Sequence, residues 1–470
     1  MPDTKRPAAC TLRFLGAAGT VTGSRFLIKT PACTTMIDCG LFQGLKELRL
    51  RNWQPLPLAP NEPGSVILTH AHLDHSGYLP ALCRDGFRGR ILATHGTQAL
   101  CGIVLPDSGH LQEEEAEYAN RAGYSRHSPA LPLYTEEDAR QSLARFAPVP
   151  FNTPIEAGAG LRATFRHAGH ILGAATVLLE IDGEHERRIL FSGDLGRPSH
   201  PLLLPPEAPS ACDAIVVEST YGDRIHDDAQ SIHLFDEAIA RTAARGGIVI
   251  VPAFAVDRTE IILFHLRRLI QQGTVPAMPV YVDSPMALAA LRLYKDAIMR
   301  PGSEIRPEAR GKPELLDPGR LTEVKTVDES IALNDLRGPA VIVSASGMAT
   351  GGRVLHHLAH RLPDEKNTVI LVGYQAEGTR GRSLLDGAKS VKMLGRYVPV
   401  RAEIVNVPAF SVHADRAEII TWLRGAPSPP KEVYVVHGDP AAAESLRAEI
   451  WKQLGWNVVV PRHLEQVRLG

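Results

Sequence analysis

The sequence predicts an α/β protein in which one unit is interrupted by another. Up to about residue 224, short strand patterns alternate with glycine-rich turns and helices, whereas from about residue 225 continuous apolar strands alternate with helices. Such strands indicate a parallel sheet that is covered by helices on both faces. A β-rich pattern returns from about residue 391, and a length of 470 residues suits about three units, or two of which one is interrupted. We therefore expect domain divisions at 1–224, 225–390 and 391–470.

In the first segment, the predicted strands are short and are bounded by glycine or by polar side chains. They are Thr11–Leu15, Arg25–Lys29, Thr34–Ile37, Arg90–Thr94, Leu161–Arg166, Ala175–Ile181 and Arg188–Phe191. Helices are predicted at Tyr78–Arg84, at Gln98–Arg121, and after Thr135, which forms a capping-box pattern with Asp138.

In the later segments, amphipathic helices separate apolar strands. The helices are predicted at Ile232–Arg245, Thr259–Gln272, Met286–Met299, Arg353–Arg361, Arg416–Arg424 and Ala442–Gln453. The strands are predicted at Ile248–Val251, Val280–Val282, Ala340–Val343, Thr368–Val372, Val391–Leu394, Ala402–Val407 and Val433–Val436. Pro301–Pro318, rich in proline, glycine and charge, is predicted to be a loop.

Composition and charge restrict the class of protein. With 44% hydrophobic residues, 22% charged residues and a formal net charge of -1, the chain resembles an ordinary globular protein, and no global charge draws it to nucleic acid or to an anionic membrane. An anionic substrate would need local cations, either metal ions or arginines. The six cysteines form no C-x-x-C pair, which indicates free thiols. No apolar run suits a signal peptide or a membrane span, so we expect a cytoplasmic protein without membrane association.

The strongest chemical signal is the segment His70–His75, HAHLDH, which follows an apolar strand-like run. In an extended backbone His70 and His72 point to the same side, and Asp74 and His75 can then turn towards a second ion. Imidazole and carboxylate ligands suit zinc and similar divalent ions. The spacing differs from the helical His-Glu-x-x-His pattern, in which two histidines serve one zinc. The segment therefore predicts a metal site.

A dinuclear site needs more ligands than this segment supplies. His170, in a loop between two predicted strands, could complete a group with His70 and His72, and Asp194 at a strand end could bridge both ions. A single loop histidine is more often not a ligand. The order and spacing of His170 and Asp194 behind the His70–His75 segment favour the metal-binding interpretation.

In these residues the sequence resembles the metallo-β-lactamase superfamily, and within it the β-CASP branch of nucleic-acid-processing nucleases. The superfamily pattern is matched by Asp38, His70, His72, Asp74, His75, His170 and Asp194. The β-CASP pattern is matched by Glu218 in VESTYG, His413 in SVHAD, His437 in VHGD, PAFAVDR with Arg258, SASGM, GGR with Arg353, and GYQAEGT. The match spans nearly the whole chain. Asp257 departs from it, because the family usually has glycine there, and a carboxylate could weaken Arg258 as a phosphate clamp.

The resemblance implies a fold, a cofactor and a set of roles. The fold is an αβ/βα sandwich interrupted by an inserted β-CASP α/β domain with a mostly parallel sheet. Two Zn2+ ions are implied, together with a metal-bridging hydroxide that attacks the phosphodiester. One ion would be held by His70, His72, His170 and Asp194, and the other by Asp74, His75, Asp194 and His437, with Asp38 orienting the ligands. The implied catalytic residues are Asp74, Glu218 and His413, where His413 is the general acid. Phosphate contacts are expected from Arg258, Ser344, Ser346, Gly347, Arg353 and Arg382.

We therefore predict a zinc-dependent ribonuclease that binds single-stranded RNA in RNA processing or decay. By resemblance, histidine at position 437 favours RNA, because DNA-directed members tend towards valine. The alternatives are a small-molecule metallo-hydrolase of lactamase or thioesterase type, which would need neither Glu218 nor His413, and a DNA-directed nuclease of the same fold. A non-catalytic scaffold is disfavoured by the complete set of ligands. The sequence leaves open endonuclease against exonuclease action, the natural RNA and whether the chain forms a homodimer.

Overall fold

A computed structural model describes residues 10–123, 127–183, 186–302, 304–373, 375, 377–407 and 410–469. The chain divides into two compact units. Unit 1 contains the chain up to His200, Leu204–Ile225, and the chain from His413 onwards; unit 2 contains Pro201–Leu203 and His226–Val412. Tyr374 and Ala376 of the GYQAEGT motif lie outside the described residues. Within the described ranges, no helix is both long and apolar enough to cross a membrane.

The first sheet of unit 1 begins as an antiparallel meander and continues as a parallel sheet. Its strands are β1 (Thr11–Phe14), β2 (Phe26–Lys29), β3 (Thr34–Ile37), β4 (Ser65–Ile67), β5 (Arg90–Thr94), β6 (Phe146–Val149) and the last strand of the chain, β22 (Gln466–Arg468). They lie in the order β22-β1-β2-β3-β4-β5-β6. Antiparallel pairing of β22 with β1 brings the C-terminal segment back to the first strand.

The second sheet of unit 1 also has seven strands. They are β7 (Ile155–Gly158), β8 (Leu161–His167), β9 (Ala175–Ile181), β10 (Arg187–Phe191), β11 (Ala214–Glu218), β20 (Glu432–Val436) and β21 (Val458–Val459). The order is β21-β20-β11-β10-β9-β8-β7, and β10, β11, β20 and β21 are mutually parallel. The carboxyl ends of β10, β11 and β20 therefore lie at one edge of the sheet.

The two sheets of unit 1 pack face to face through an aromatic and aliphatic core. Phe26 of the first sheet and Phe191 of the second have ring centroids 5.7 Å apart. Burial of such a side chain stabilises the fold by roughly 1.5–3 kcal/mol. The helices of this unit are α1 (Lys46–Leu50), α2 (Leu73–Ser76), α3 (Leu79–Arg84), α4 (His95–Ala122), α5 (Glu136–Ser142), α12 (Arg416–Arg424) and α13 (Pro440–Leu454). Because α4 contacts β5 and β6 while α13 contacts β20 and β21, helices cover both outer faces.

Unit 2 is built on a six-stranded, entirely parallel sheet. Its strands are β12 (Ile248–Pro252), β13 (Val280–Val282), β14 (Leu321–Glu323), β15 (Ala340–Ser344), β16 (Thr368–Leu371) and β19 (Glu403–Asn406), in the order β14-β13-β15-β12-β16-β19. Its helices are α6 (Asp228–Ala244), α7 (Arg258–Gln271), α8 (Pro285–Met299), α9 (Val327–Ala332), α10 (Val354–Arg361) and α11 (Arg380–Leu385). A separate antiparallel hairpin joins β17 (Ser390–Met393) to β18 (Arg396–Pro399).

The predicted fold class, a two-sheet αβ/βα sandwich interrupted by a unit with a parallel sheet, is confirmed. The continuous apolar strands predicted the parallel sheet because each is buried on both faces, as in β12 and β15. The far end of unit 2 lies beyond residue 390, where the sequence suggested a division, because β19 pairs in parallel with β16. Short strands that lack a strong pattern, such as β6, β14 and β22, did not emerge from the sequence.

Candidate metal centre

The histidine-rich segment lies in unit 1, between β4 and α2. Helix α2 begins directly after His72, which is its N-cap residue. His70 and His72 therefore precede the helix, and Asp74 and His75 belong to its first turn. This change of direction separates the two pairs of side chains.

The loops that follow β3 and β4 are held against each other. Cys39 N–H donates to the carbonyl oxygen of His75 at 2.7 Å. A Cβ atom on Gly40 would lie 1.6 Å from the carbonyl oxygen of Asp74, so only glycine allows this approach. The sequence Asp38-Cys39-Gly40 is thus fixed by contact with the metal-ligand segment.

The first group of candidate ligands consists of His70, His72, His170 and Asp194, all within one cluster. His72 Nδ1 lies 3.2 Å from His70 Nε2 and 3.1 Å from His170 Nε2. Asp194 Oδ2 lies 3.4 Å from His70 Nε2 and 3.6 Å from His170 Nε2. His170 reaches this position because its loop packs closely, since a Cβ on Gly196 would lie 1.9 Å from the carbonyl oxygen of Gly169.

These separations fit a single metal ion. Tetrahedral ligands at the usual zinc distances stand about 3.3–3.6 Å from each other. Burial, reinforced by the neighbouring imidazoles, lowers the pKa values of His70 and His170 and lowers that of His72 to about 3. Neutral imidazole is the form that binds metals. Three neutral imidazoles and one carboxylate thus offer lone pairs for a divalent cation.

The second group consists of Asp74, His75 and His437. His437 Nε2 lies 3.1 Å from His75 Nε2 and 3.3 Å from Asp74 Oδ2. His437 directly follows β20 and has a φ of 51°, a left-handed backbone that is uncommon for this residue type. Thr220 Oγ1 lies 3.2 Å from His437 Nδ1. The strained residue is therefore held in a defined orientation.

Asp194 stands between both groups. Its Oδ1 atom lies 3.2 Å from His75 Nε2, on the side opposite to the contacts with His70 and His170. Oδ1 is buried and accepts no hydrogen bond within the described ranges. Burial would raise the pKa of this carboxyl group, but His437, His75 and His70 hold it well below its usual value. An ionised carboxylate with an unused oxygen at this place can face two cations.

Asp38 supports the second group from behind. Its Oδ2 atom lies 2.7 Å from His75 Nδ1, and its Oδ1 atom accepts hydrogen bonds from Thr69 N–H at 2.8 Å and Thr69 Oγ1 at 3.0 Å. Burial would lower the pKa of His75, but Asp194 and Asp38 together raise it well above its usual value. With Asp38 engaging Nδ1, the Nε2 atom of His75 faces Asp194 and His437.

His413 and Glu218 form a pair beside the first group. His413 Nδ1 lies 3.3 Å from Glu218 Oε1, and the two imidazole rings of His413 and His170 have centroids 4.5 Å apart. Glu218 is fully buried and accepts hydrogen bonds from Leu195 N–H at 2.6 Å and Thr220 N–H at 3.2 Å. His413 is not in any of the ligand groups found among the described residues.

The backbone after His413 is anchored to the loop that carries Asp194. Ala414 N–H donates to the carbonyl oxygen of Leu195 at 2.7 Å. Glu418, in the first turn of α12, pairs with Arg197 through contacts of 3.1 and 3.2 Å. This bidentate, largely buried pair fixes the N-terminus of α12, and with it the position of His413.

The residues expected to contact phosphate all lie in unit 2, and several already have protein partners. Arg353 Nη1 donates to Asp283 Oδ1 at 2.7 Å, and the fully buried Asp283 also bonds His357 Nε2 at 2.6 Å. Ser344 Oγ donates to the carbonyl oxygen of Asp283 at 2.8 Å. Arg382 Nε donates to Asp386 at 2.9 Å on the surface of α11. The structure thus gives Arg353 and Ser344 a role inside unit 2.

The remaining phosphate candidates follow the carboxyl ends of strands in the parallel sheet. Arg258 is buried and its Nη1 donates to the carbonyl oxygen of Val372 at 3.4 Å. Gly347 packs so tightly that a Cβ would lie 2.7 Å from the ring of Phe254. Ser346 Oγ lies 2.9 Å from Thr350 Oγ1 in an exposed contact. These residues share one edge of the sheet but form no single cluster.

Asp257 and Glu260 give the start of α7 an acidic character. Asp257 has a φ of 69°, which explains why glycine is favoured there, and its carboxylate accepts a hydrogen bond from the Tyr294 hydroxyl. Glu260 is fully buried, and neither of its carboxylate oxygens has a hydrogen-bond partner in the described part of the chain. Burial and the charge of Asp257 raise its pKa well above the usual value.

Sequence reasoning missed three residues of this arrangement. Thr69 contacts Asp38, Thr220 contacts His437, and Leu195 supplies a backbone N–H to Glu218. Each of the three directly precedes or follows one of the predicted site residues, or lies two positions from it. Proximity in the sequence was therefore the signal that could have found them. Small side chains and backbone groups carry no composition signal of their own.

Family models match the chain in three consecutive regions. The metallo-beta-lactamase superfamily model matches residues 18–245, the Beta-Casp domain model matches residues 259–384, and a model described as a Zn-dependent metallo-hydrolase RNA specificity domain matches residues 397–461.

Several curated proteins are similar over nearly the whole chain. Ribonuclease TTHA0252 of Thermus thermophilus is 36% identical over 90% of this chain and 92% of its own length. An RNase J-like protein of Methanocaldococcus jannaschii is 31% identical over 96% of this chain and 97% of its own length. Transcription termination factor FttA of the same organism is 28% identical over 97% of this chain and 71% of its own length. A crystal structure of a protein of unknown function from Enterococcus faecalis V583 shares the fold, with a TM-score of 0.53, 16% identity and coverage of 98% of this chain and 100% of that one.

The fold and the histidine–aspartate cluster together define a metal-dependent hydrolase. The chain belongs to the β-CASP family of the metallo-β-lactamase superfamily.

Proposed function

We propose that this protein is a zinc-dependent ribonuclease that hydrolyses phosphodiester bonds of single-stranded RNA in RNA processing or decay. The observation that carries the proposal is that Asp194, a member of the first ligand group, also lies 3.2 Å from His75 of the second group, with the His413–Glu218 pair beside them. A lactam or thioester hydrolase would have no use for that pair. The names of two relatives, a ribonuclease and an RNase J-like protein, support the same conclusion.

In this proposal the chain holds two Zn2+ ions. His70, His72, His170 and Asp194 hold one, and Asp74, His75, Asp194 and His437 hold the other. When bound, the ions would lower the pKa of a water molecule and offset the negative charge of the phosphate. Asp38 fixes the tautomer of His75 by accepting the Nδ1 proton, which leaves Nε2 as the ligand atom.

His413 supplies the proton that the leaving ribose oxygen needs. Glu218 orients the ring by its contact with Nδ1 at 3.3 Å, so the transferable proton is on Nε2. Two backbone N–H groups hold the Glu218 carboxylate in place, and that rigidity keeps His413 aligned. The products would carry a 3′-hydroxyl and a 5′-phosphate, as expected when the 3′ oxygen leaves.

We propose that the enzyme cleaves RNA in preference to DNA, because histidine occupies position 437. Of the expected phosphate contacts, Arg258, Ser346 and Gly347 are retained, since they follow the carboxyl ends of parallel strands, where ligands bind in open α/β sheets. Arg353, Ser344 and Arg382 are weaker candidates because their side chains make short hydrogen bonds inside unit 2, whereas the bond of Arg258 to the carbonyl oxygen of Val372 is long, at 3.4 Å.

Digestion of matched RNA and DNA oligonucleotides tests this function. Each is labelled at the 5′ or the 3′ end and carries a triphosphate, monophosphate or hydroxyl at its 5′ end, so that the direction of attack is visible. An Asp74→Asn variant purified in parallel serves as the control for contaminating nuclease. We expect the wild-type chain to cut RNA and the variant to be inactive. DNA cleavage at the same rate, or hydrolysis only of a lactam or thioester, would contradict the proposal.

The organisation of the chain is also part of the proposal. We infer that the β-CASP insert begins near residue 225 and ends between residues 390 and 412, so that the C-terminal return completes the sandwich. A cytoplasmic location suits the six cysteines, all of which are free thiols. A homodimer remains a prediction that sedimentation of the purified chain would test.

A further inference from the structure

The β17–β18 hairpin of unit 2 presents a basic and aromatic face. In its register, Val391 pairs with Val398, and Lys392 pairs with Tyr397. Both valines are buried, whereas Lys392 is exposed and Tyr397 is 72% exposed. Directly opposed residues of an antiparallel pair have side chains on the same face. A cation and an aromatic ring therefore stand side by side in water.

The charged residues of this segment are all positive. From Lys389 to Arg401 the chain contains four cations and no acidic residue; the cations are Lys389, Lys392, Arg396 and Arg401. All four are exposed, and none has a side-chain hydrogen bond or ion pair within the residues that the structure describes. By contrast, Arg353 and Arg382 of the same unit are paired with aspartates. The cations of the hairpin are thus available for an anionic partner.

The hairpin is connected to the edge of the parallel sheet where ligands are expected. Arg380 Nε donates to the carbonyl oxygen of Lys392 at 2.8 Å, and its Nη1 donates to that of Thr350 at 2.9 Å. Thr350 lies in the loop after the carboxyl end of β15. Beside β17 lies a cavity of about 420 Å³ whose polar lining includes Thr350, Thr379, Ser383 and Lys392. In such sheets, ligands usually bind outside the carboxyl ends of the strands, at the point where the strand order reverses.

We propose that this hairpin and the adjoining cavity form a binding surface for single-stranded RNA. Lys392 contacts the phosphodiester backbone, and Tyr397, its cross-strand partner on the same face, stacks on a base. Single-stranded nucleic acid is bound in this way, by a positively charged groove that follows the backbone and by aromatic rings on which bases stack. The proposal rests on the proposed function, because it assumes RNA as the substrate, and it adds a surface outside the metal centre.

The test is the salt dependence of RNA affinity in the full-length chain. The probe is a single-stranded phosphorothioate RNA of about 20 nucleotides, longer than the usual binding site of one such surface, and resistant to cleavage. Lys392→Gln should bind about fivefold to tenfold more weakly at low salt. Its slope of log K against log salt should be shallower by about 0.7, the value for one lost phosphate contact. Tyr397→Ala should bind about fivefold or more weakly, and Tyr397→Phe should bind as the wild type does.

The matched control is Lys366→Gln, an exposed lysine of the same unit at the amino end of β16, which should leave affinity and slope unchanged. If the wild type cuts ordinary RNA but the hairpin variants bind RNA with the wild-type affinity and slope, the hairpin proposal is wrong and the proposed function stands. The exposed Tyr397 and Leu394 would then indicate a protein partner. If the wild type neither binds nor cuts RNA, the proposed function fails and the hairpin proposal fails with it.

Discussion

His413 and Glu218, which are 195 positions apart in the sequence, meet with His413 Nδ1 3.3 Å from Glu218 Oε1. The carboxylate is fixed by two backbone N–H groups, so the histidine beside the metal ligands has a rigid orienting partner. We therefore expect different effects from substitution of His413, which Glu218 orients, and of His437, which lies among the candidate metal ligands.

His413→Ala and His437→Ala should fail in different ways. His413→Ala should keep its metal and lose on the order of a hundredfold or more in turnover, since it lacks the general acid. The defect should shrink on a nitrophenyl phosphodiester, whose leaving group needs no proton. His437→Ala should lose metal, with partial recovery in excess zinc. Metal analysis and turnover on both substrates test this pair of variants. Loss of metal from His413→Ala would indicate that His413 is itself a metal ligand.

Asp38→Asn should weaken metal binding without unfolding the chain. The amide cannot accept the proton of His75 Nδ1 as a carboxylate does, and loss of such a supporting partner typically costs 10- to 100-fold in affinity or activity. Competition with a zinc chelator measures the affinity. Asp182→Asn, an exposed aspartate of the same unit, is the control and should behave as the wild type. Equal affinity for Asp38→Asn and the control would show that Asp38 has no role in metal binding.

Glu260→Gln should stabilise the protein, and more so at high pH. The pKa of Glu260 is raised in the folded state, so folding favours the protonated carboxyl group. The contribution of this group to the free energy of unfolding is therefore fully present below the unfolded pKa of about 4.3 and is lost as pH rises through the folded pKa. Glutamine keeps the volume and carries no charge. The midpoint of thermal unfolding should therefore rise relative to the wild type, with a larger difference at pH 8 than at pH 5.

Glu365→Gln, at an exposed position of the same unit, should show neither the rise nor its pH dependence. The difference in unfolding midpoint between Glu260→Gln and the wild type could instead stay constant from pH 5 to pH 8. Glu260 would then be ionised in the folded state over this range, and its pKa would not be raised.

Arg353→Ala should act mainly on stability. It leaves the fully buried Asp283 with one fewer partner, and the loss of a charged hydrogen bond to a buried group costs about 1–3 kcal/mol of the free energy of unfolding. Arg382→Ala breaks an exposed pair with Asp386 and should cost about 0–1 kcal/mol. Denaturant unfolding measures both. A flattened salt dependence of RNA binding with unchanged stability would instead restore Arg353 to the RNA contact that its sequence motif suggested.

Local patterns predicted much of this molecule. The alternation of His70 and His72 and the apolar character of strands such as β12 depend only on neighbouring residues, because side-chain direction follows backbone periodicity. The predicted helices and most strands lie within a few residues of the observed ones. The capping box of Thr135 and Asp138 is present as the sequence indicated.

Non-local pairing explains what the sequence did not reveal. β22 joins β1 across nearly the whole chain, and β19 joins the sheet of unit 2 although its own residues are only half-buried. The partner of Arg353 is Asp283, 70 positions away, so a motif could suggest an arginine but not what it would bind. The left-handed backbone of Asp38 and His437 likewise depends on contacts that no local pattern encodes.

We propose that Asp194 serves two metal ions. The direct measurement is the zinc content of the chain purified without chelator, by elemental analysis, together with RNA turnover as zinc is added back to stripped protein. The two ligand groups, with Asp194 facing both, predict about two zinc ions per chain at saturation, with turnover rising as the second is bound. Saturation near one zinc per chain, with full RNA cleavage, would show that Asp194 serves a single ion.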